Sequence, residues 1–358
     1  MSRVLLVGRG PPERGGIAAY MLGILNGPLA AEHDIELVNL TPGGPPQAGR
    51  LTGANVRRTI YNAKEVFTRA KDRDIVHIHT ALVPGVTLLR AALLVGAARL
   101  RRRKVVLHVH SGKVQLWLTG VAKRTIARLM LRPASVVVAV SHGALEALRP
   151  VVRKDRLTLI ENGVDVNAFG PPDPRNDPPK ILYVGLLTPR KGVVDLIRAS
   201  DVLRARGVAH ELVLVGGTPD EGTAEEREVR EAARGKATVL GSRPHEAMPD
   251  IYREADVFCL PSWWEAMPLT LLEAMATGLP CVATEVGDIP RMIEDEEAGV
   301  VVSPRDPTAL ADAIERLLVD RGSAEAMGEA ARNRAGELFS ARGTERALEE
   351  IYQELGRV

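Results

Sequence analysis

Two glutamates stand in an otherwise apolar stretch of the chain, residues 260–284. Glu265 precedes a predicted helix that begins near Pro268 and ends at Gly278, and Glu273 lies inside that helix. A carboxylate flanked by leucine, alanine and methionine side chains costs stability unless it has a partner. A ribose diol could donate two hydrogen bonds to it, and the free amides of the helix start could bind a diphosphate. The alternative interpretation of Glu273 is an exposed helical glutamate.

Glycines follow the first predicted strand, where a loop opens a helix. The spacing from Gly8 and Gly10 puts Glu13 where the dinucleotide-binding pattern needs a third glycine, which disfavours a nicotinamide enzyme. Gly15 and Gly16 still let backbone amides approach an anionic ligand closely. A tight turn without a ligand explains the same residues equally well.

Four histidines occupy two strand ends at intervals of two, which puts each pair on one face of a sheet. They are His77, His79, His108 and His110. A zinc site needs convergent loops and supporting groups that the sequence does not indicate, so we expect no metal. The Asp-x-Asp pattern of residues 72–74 precedes a strand instead of following one, and we interpret it as a solvated turn.

The composition is that of a globular protein: 358 residues, 45% hydrophobic and 26% charged, with a net charge of +2. A near-neutral chain with 3% aromatic residues is not typical of a nucleic-acid binder. Cys259 and Cys281 lie in apolar runs and are expected to be buried thiols. The start of the chain resembles a strand rather than a signal peptide, and no apolar run is long enough to span a bilayer. We therefore expect a cytoplasmic protein.

Short apolar runs alternate with longer amphipathic stretches, which predicts parallel sheets covered by helices on both faces. Five prolines within 169–179 interrupt this pattern and predict a linker. The predicted fold is α/β, with two Rossmann-like doubly wound domains facing across a cleft, 1–168 and 180–339, and a helix in 340–358 that crosses back to the first. The predicted strands are 4–7, 35–40, 75–79, 105–110, 136–140 and 157–160, then 181–184, 211–215, 238–240, 257–260, 281–284 and 299–301.

Several motifs together resemble retaining glycosyltransferase family 4, whose fold is the two-domain GT-B architecture. The strongest is Pro-Ser-x-x-Glu followed by Glu-Ala-Met-Ala-x-Gly-x-Pro, with Glu265 and Glu273 as its two glutamates. The resemblance extends over nearly the whole chain. The other matching segments are Val140-Ser141, Ile160-Glu-Asn-Gly-Val-Asp165, Val184-Gly185, Pro189-Arg-Lys-Gly192, Leu214-Val-Gly-Gly217 and Val239-Leu-Gly241.

The resemblance implies a role for each matching residue. Glu273 would bind the donor ribose, Glu265 a hydroxyl of the transferred sugar, and Lys191, helped by Arg190, the diphosphate. His110 would contact the donor sugar near the reacting carbon, so His110, Lys191 and Glu265 are the predicted catalytic residues. The remaining predicted donor-binding residues are Gly15, Gly16, Arg243, Ala266, Met267, Leu269 and Thr270. Where the family commonly has Gly-Arg, this chain has Gly185-Leu186, and Arg190 is expected to supply the missing charge.

The function that follows is transfer of a hexosyl-type sugar from a nucleotide diphosphate sugar to a hydroxyl acceptor, with retention and without a metal or other cofactor. UDP is favoured over GDP or ADP. The acceptor would be a saccharide, a glycolipid or a small molecule, in cell-envelope glycan or polysaccharide synthesis. Two alternatives stay open: a nucleotide-sugar 2-epimerase, and a non-catalytic nucleotide-sugar-binding protein, which the leucine at 186 motivates.

Basic amphipathic segments are concentrated in the N-terminal half. Residues 99–104 form a dense positive cluster, and 56–71 has a similar character. A third segment combines an apolar stripe with basic residues mostly away from it. Such segments could hold the protein against the inner face of an anionic membrane, or form ordinary core-packed helices with a solvated basic face. The stripe consists of Leu118, Val121, Ala122, Ile126, Leu129 and Met130, and the basic residues are Lys123, Arg124, Arg128 and Arg132.

Overall fold

A computed structural model describes residues 1–10, 15–40, 52–83, 85–217 and 223–356. The chain divides into two units, each with its own hydrophobic core. The first consists of Met1–Glu161 together with Gly343–Val358, and the second is the continuous stretch Asn162–Arg342. The proline-rich residues 169–179 therefore belong to the second unit.

The first unit is built on a six-stranded parallel sheet in the order β2-β1-β3-β4-β5-β6. Its strands are β1 (Arg3–Gly8), β2 (Asp34–Asn39), β3 (Ile75–Thr80), β4 (Lys104–Val109), β5 (Val136–Ala139) and β6 (Leu157–Leu159). Its described helices are α1 (Gly16–Asn26), α2 (Pro28–Glu32), α3 (Gly53–Arg69), α4 (Val86–Leu100), α5 (Val114–Trp117), α6 (Val121–Leu131) and α7 (His142–Leu148).

The second unit repeats the design, with a parallel sheet in the order β12-β11-β10-β7-β8-β9. Its strands are β7 (Lys180–Val184), β8 (Glu211–Val215), β9 (Thr238–Gly241), β10 (Val257–Leu260), β11 (Cys281–Thr284) and β12 (Val300–Val302). Its described helices are α8 (Val193–Ala205), α9 (Ala224–Ala233), α10 (Met248–Arg253), α11 (Leu269–Thr277), α12 (Ile289–Ile293), α13 (Pro307–Val319) and α14 (Arg321–Leu338).

All twelve predicted strands are present, and both sheets are parallel, so the predicted α/β class is confirmed. The apolar strand residues are buried because helices cover both faces of each sheet. In each unit the chain winds from the first strand towards both edges of the sheet; β7 is central in the second sheet, whereas β1 is next to the edge strand β2 in the first. The reversal falls between β1 and β3 in the first unit and between β7 and β10 in the second. Ligands of doubly wound sheets bind at such reversal points, beyond the carboxyl ends of the strands.

The helix α15 (Ala341–Gly356) completes the first unit from the other end of the chain. Its Tyr352 is buried, and its hydroxyl lies 2.6 Å from Nδ1 of His77 in β3. Its Glu349 forms an ion pair with His33, the residue that follows α2. Nδ1 of His33 accepts a hydrogen bond from the backbone amide of Ser2. The packing of α15 thus reaches the central strands of the first sheet.

The helix α6 orients its side chains differently from the predicted stripe. Its buried residues are Ala127 and Leu131, whereas Val121, Ile126 and Leu129 are 84%, 53% and 64% exposed. Ala122 is exposed as well, so the interpretation as a core-packed helix with only a basic face in solvent is wrong for four of the six stripe residues. The outer face of α6 carries apolar and basic side chains together.

The Asp-x-Asp pattern of residues 72–74 lies in a turn, as expected. A short 3-10 helix, Ala70–Asp72, leads into β3. Asp74 accepts hydrogen bonds from the backbone amide and the guanidinium of Arg3, which accounts for its carboxylate without a metal.

Candidate functional site

The loops that follow β7 and β10 lie side by side, because these two strands are neighbours in the second sheet. After β7 the chain forms a 3-10 turn, Pro189–Lys191, and enters α8. After β10 it runs through residues 261–268 into α11. Both loops lie at the carboxyl edge and at the reversal point of the sheet, where a doubly wound fold binds its ligand.

A charged cluster joins the two loops. Nζ of Lys191 lies 2.5 Å from Oε1 of Glu265, and both side chains are largely buried. The hydroxyl of Ser262, which is fully buried, donates to the same Oε1 over 2.7 Å. Among the described contacts, none engages Oε2 of Glu265, so one carboxylate oxygen is held and the other can accept from a ligand hydroxyl.

Two glycines allow the backbone to pass close to this cluster. Gly192, at the start of α8, has φ 68°, and a Cβ there would lie 1.8 Å from the carbonyl oxygen of Pro261. Gly287 has φ 58°, and a Cβ there would lie 2.4 Å from the carbonyl oxygen of Glu265. No other residue type fits these approaches without moving the loops. The position of Glu265 is thus fixed by its backbone as well as by its side chain.

Glu273 is buried within α11, with 8% of its surface exposed. Burial raises the pKa of its carboxyl to about 7, and the hydroxyl of Tyr252 in α10, which donates to Oε2 over 2.7 Å, acts to lower that pKa. The carboxylate therefore has one fixed donor and remains costly to ionise. The interpretation of Glu273 as an exposed helical residue is wrong.

The start of α11 offers backbone amides beside the charged cluster. The helix begins at Leu269 after Pro268, so the amides of its first turn, including that of Thr270, have no partner within the helix. The side-chain amide of Asn162 donates to the carbonyl oxygen of Met267 over 2.7 Å and so orders the approach to the helix. These amides, with the positive end of the helix dipole, favour an anion.

Two tryptophans fix the loop between the cluster and the helix. The indole N–H of Trp263 donates to the buried carboxylate of Asp195 in α8 over 2.8 Å, and its backbone amide donates to the carbonyl oxygen of Arg190. The guanidinium of Arg190 lies 5.6 Å from the ring centroid of Trp264. Arg190 is therefore held next to Lys191 at the same edge, where it adds positive charge.

The structure does not bring every predicted residue into contact with this cluster. Arg243 follows β9, at the far edge of the same sheet, and its side chain is exposed. Ala266 is half-buried, and its carbonyl oxygen accepts from the amide of Asp288. Leu186, which stands where the family commonly has arginine, supplies its carbonyl oxygen to the hydroxyl of Tyr183.

Three predicted residues belong to the first unit. Gly15 caps α1 with φ 123°, and Gly16 is its first residue; both are exposed, with open space where a Cβ would stand. His110 directly follows β4, and its Nε2 lies 2.8 Å from Nδ1 of His79. These residues lie at the carboxyl edge of the first sheet, near its own reversal point.

Sequence reasoning missed the residues that hold the site in place. Asn162, Tyr252 and Asp195 each support a predicted residue or its loop from another element. Asn162 could have been found, because it lies in the Asn-Gly-Val-Asp segment already noted. Nothing in the local sequence of Tyr252 or Asp195 indicates a partner 21 or 68 positions away.

Within the described part of the chain, no helix combines the length and the apolar character that crossing a bilayer requires.

Two family profiles match the chain, and the end of the first overlaps the start of the second at residues 167–168. The family described as Glycosyltransferase Family 4 matches residues 14–168. The family described as Glycosyl transferases group 1 matches residues 167–334, which include the whole charged cluster and α11. The predicted resemblance is therefore confirmed.

Curated relatives cover most of the chain. Alpha-maltose-1-phosphate synthase from Mycolicibacterium smegmatis is 30% identical over 335 residues, 85% of each chain. A GDP-mannose-dependent alpha-(1-6)-phosphatidylinositol monomannoside mannosyltransferase from Mycobacterium tuberculosis is 28% identical over 365 residues, 93% of each chain.

Solved structures share the fold. Sucrose-phosphate synthase from Thermosynechococcus elongatus superposes with a TM-score of 0.81 at 23% identity, covering 99% of both chains. HepE from Anabaena, crystallised with UDP and glucose, superposes with a TM-score of 0.76 at 18% identity, covering 99% of this chain and all of that one. These similarities confirm the GT-B fold class.

Proposed function

This chain belongs to the family 4, group 1 glycosyltransferases, which transfer sugars from nucleotide sugars, and we propose that it is a retaining hexosyltransferase that needs no metal ion. The observation that carries the proposal is the cluster of Lys191, Glu265 and Ser262 beside the start of α11. Positive charge, bare amides and a half-free carboxylate meet there at the reversal point of the second sheet.

Each part of the cluster matches one part of a sugar diphosphate. Lys191, Arg190 and the first amides of α11 suit the two phosphates. Oε2 of Glu265 suits a hydroxyl of the transferred sugar, because Oε1 is already held by Lys191 and Ser262. The buried carboxylate of Glu273 suits the ribose, whose two hydroxyls would pay for its ionisation by donating to it.

The chemistry follows from where charge develops. Breaking the bond between sugar and diphosphate leaves negative charge on the phosphate and positive charge on the sugar ring. Lys191, Arg190 and the helix amides stabilise the leaving diphosphate in a preorganised site. The departing phosphate oxygen takes the proton of the acceptor hydroxyl on the same face of the sugar, so no separate base is required and the configuration is retained.

The first unit supplies the remaining groups in this proposal. Gly15 and Gly16 present backbone amides with open space around them, which suits a phosphate oxygen. His110 serves as a hydrogen-bond partner of the sugar near the reacting carbon. In the second unit, we propose that phosphate and sugar oxygens contact Ala266, Met267, Leu269 and Thr270. Arg243 would contact the edge of the nucleotide base.

The proposal for the nucleotide and the acceptor names classes of compound rather than single compounds. We keep UDP as the favoured nucleotide; the relatives include a protein named as GDP-mannose dependent, so both donors belong in every assay. The acceptor is a hydroxyl of a saccharide, a glycolipid or a small molecule, and we place the activity in glycan or polysaccharide synthesis.

Transfer assays on site variants test the assignment. Lys191→Ala and Glu273→Ala should each reduce kcat/KM by about 100-fold or more, because each removes a charged group that binds the donor. Lys236→Ala is the matched control, since that lysine is exposed and pairs with Asp201 away from the site. A near-normal rate in either site variant contradicts the proposal.

Product analysis separates the rival functions. Incubation with donor alone should yield no epimerised nucleotide sugar; an epimer would identify an isomerase. Incubation with donor and an acceptor extract should yield a glycosylated product and free nucleoside diphosphate. Tight nucleotide-sugar binding without transfer would identify a binding protein.

We also propose that the protein binds anionic membrane surfaces through the outer face of α6. That face exposes Val121, Ile126 and Leu129 beside Lys123 and Arg128. Apolar side chains can enter the boundary between headgroups and acyl chains while the basic residues contact anionic headgroups, each contributing about 1 kcal/mol. The basic cluster 99–104 in the same unit adds to this positive charge.

Vesicle sedimentation tests this surface. Binding should require phosphatidylglycerol in the vesicles, weaken with salt, and fall about tenfold or more in the triple variant Val121→Ser, Ile126→Ser, Leu129→Ser. Val319→Ser is the control, because Val319 is equally exposed but lies in α13 of the second unit. Unchanged sedimentation of the triple variant would refute the assignment.

A further inference from the structure

Four histidine rings form a two-by-two array at the carboxyl edge of the first sheet. The ring centroids of His77 and His79 in β3 lie 4.3 Å apart, and those of His108 in β4 and His110, which directly follows it, lie 4.4 Å apart. Rings also face across the strands, with centroids 5.1 Å apart for His79 and His110. The ring of Tyr20 in α1 makes T-shaped contacts with His108 and His110.

Hydrogen bonds connect these rings in two rows. In the first row, Nδ1 of His77 forms a hydrogen bond with the hydroxyl of Tyr352, and Nε2 of His77 lies 3.2 Å from Nδ1 of His108. In the other, Nδ1 of His79 lies 2.8 Å from Nε2 of His110. Burial lowers the pKa of His110 to about 3 and the pKa of His79 well below its usual value, so both rings are neutral near pH 7.

A metal ion is not the best occupant of this array. The ring nitrogens of His77, His79 and His108 lie within 4.8 Å of one another, but Nε2 of His77 and Nδ1 of His108 are 3.2 Å apart, which is a hydrogen-bond distance. The described ring neighbours are histidines and tyrosines, which carry no negative charge to offset a buried divalent cation. The hydrogen-bonded interpretation accounts for the same distances without that cost.

The surroundings of His79 determine which nitrogen carries its proton. Its Nε2 is buried and, within the described part of the chain, has no hydrogen-bond partner. An N–H there would be a buried donor with nothing to bind, and such donors are rarer in proteins than unpaired acceptors. The favoured tautomer of His79 therefore carries its proton on Nδ1, and that N–H points at Nε2 of His110.

We propose that His79 is a positioning residue that fixes the tautomer of His110: by donating to Nε2, it leaves the proton of His110 on Nδ1, ready to bind an oxygen of the transferred sugar. The second half of this statement rests on the proposed function, whereas the first concerns the free protein alone. No described hydrogen bond engages Nδ1 of His110.

The arrangement suits glycosyl transfer because it supplies a donor without a charge. Positive charge grows on the sugar ring as the bond to the diphosphate breaks, and an imidazolium beside it would oppose that change. A neutral ring held in one tautomer can bind a sugar oxygen throughout the reaction. His79 does not touch the sugar in this scheme and acts only through His110.

Nuclear magnetic resonance of the full chain labelled with ring-15N histidine tests the tautomer directly. At pH 7.5, long-range 1H–15N correlations should show both His79 and His110 protonated on Nδ1 and unprotonated on Nε2. Signals are assigned with single His→Asn variants. Wild-type His110 protonated on Nε2 would overturn the inference, whatever the activity of the protein.

Kinetics of paired variants test the consequence. His79→Leu removes the donor and should lower kcat about tenfold or more with KM within about twofold, whereas His79→Asn, which keeps an N–H near the position of Nδ1, should restore most of kcat. If kcat falls equally in the two variants, His79 matters only for packing and the positioning role is overturned. An unchanged kcat in both variants would also overturn it.

A control variant within the array keeps these tests independent. Tyr352→Phe removes the hydroxyl that binds His77 but leaves the row of His79 and His110 untouched, so the tautomer of His110 and kcat should be unchanged. If the predicted tautomer is present but the protein transfers sugar from none of the nucleotide sugars tested, the proposed function fails and the assignment of His79 stands.

Discussion

Replacing Tyr252 by phenylalanine should move the pH dependence of donor binding to higher pH. In the wild-type protein, burial raises the pKa of Glu273 to about 7, and the tyrosine hydroxyl opposes that rise by donating to the carboxylate. Phenylalanine keeps the buried ring and removes only the donor. Since the ribose hydroxyls need an ionised acceptor, donor binding should weaken as Glu273 becomes protonated.

The size of the change follows from the strength of one hydrogen bond. A bond to a charged group contributes about 1.5–3 kcal/mol, and 1.36 kcal/mol corresponds to about one pKa unit, so the pKa of Glu273 should rise by about 1–2 units. Near pH 7 the ionised fraction then falls from about one half to between about a tenth and a hundredth. Donor affinity at pH 7 should fall by about 5–50-fold.

Isothermal titration calorimetry from pH 5.5 to 9 measures this shift. The probe is UDP-glucose or GDP-mannose, whichever the wild-type protein binds more tightly. Neither compound gains or loses a proton on its diphosphate near neutral pH, so a change of affinity with pH reports on the protein. The wild type should lose affinity below about pH 7, and Tyr252→Phe below about pH 8–9. Tyr61→Phe is the control, since Tyr61 is exposed on α3 of the first unit, whereas Glu273 is buried in the second.

The reasoning would be refuted by an acid limb that stays in place or moves to lower pH in Tyr252→Phe. Equal affinities of the two proteins at pH 9.5, together with the shifted limb, would show that protonation rather than misfolding causes the loss.

Three further outcomes are expected. Since the folded state keeps the proton of Glu273 to higher pH than the unfolded chain, the contribution of this one group to stability should be lost between about pH 4.5 and 7, so the stability of the wild type relative to Glu273→Gln should fall by up to about 3 kcal/mol over that range in chemical denaturation. Gly192→Ala should lose more than about 2 kcal/mol and most donor affinity, whereas Gly207→Ala, with similar φ but open space, should lose only the backbone strain of about 1 kcal/mol, measured by thermal unfolding. Ser262→Ala should lower kcat about tenfold by freeing Glu265, and an unchanged kcat would remove Ser262 from the site.

The fold could be predicted from the sequence because its strands are short apolar runs separated by amphipathic helices. A parallel sheet buries both faces of each strand, so the whole run is apolar and its limits are sharp. The burial of Glu273 could also be predicted, since leucine, alanine and methionine residues surround it on α11.

Other features depend on contacts between distant parts of the chain and could not be predicted. The ion pair of Lys191 and Glu265 joins residues 74 positions apart, and only the neighbouring position of β7 and β10 brings them together. The stripe on α6 illustrates a second difficulty. Helical periodicity identifies an apolar side, but Ala127 and Leu131, which lie outside that stripe, are the residues that pack inward.

The route of the chain has a consequence for the order in which the two units are completed. The second unit is continuous, so it can finish folding once residue 342 has left the ribosome. The first must wait for α15, because Tyr352 and Glu349 fill places beside His77 and His33 that were made more than 270 residues earlier. A released chain that ends before residue 349 would therefore contain a complete second unit and an incomplete first one, and loss of α15 would damage the unit that begins furthest from it along the sequence.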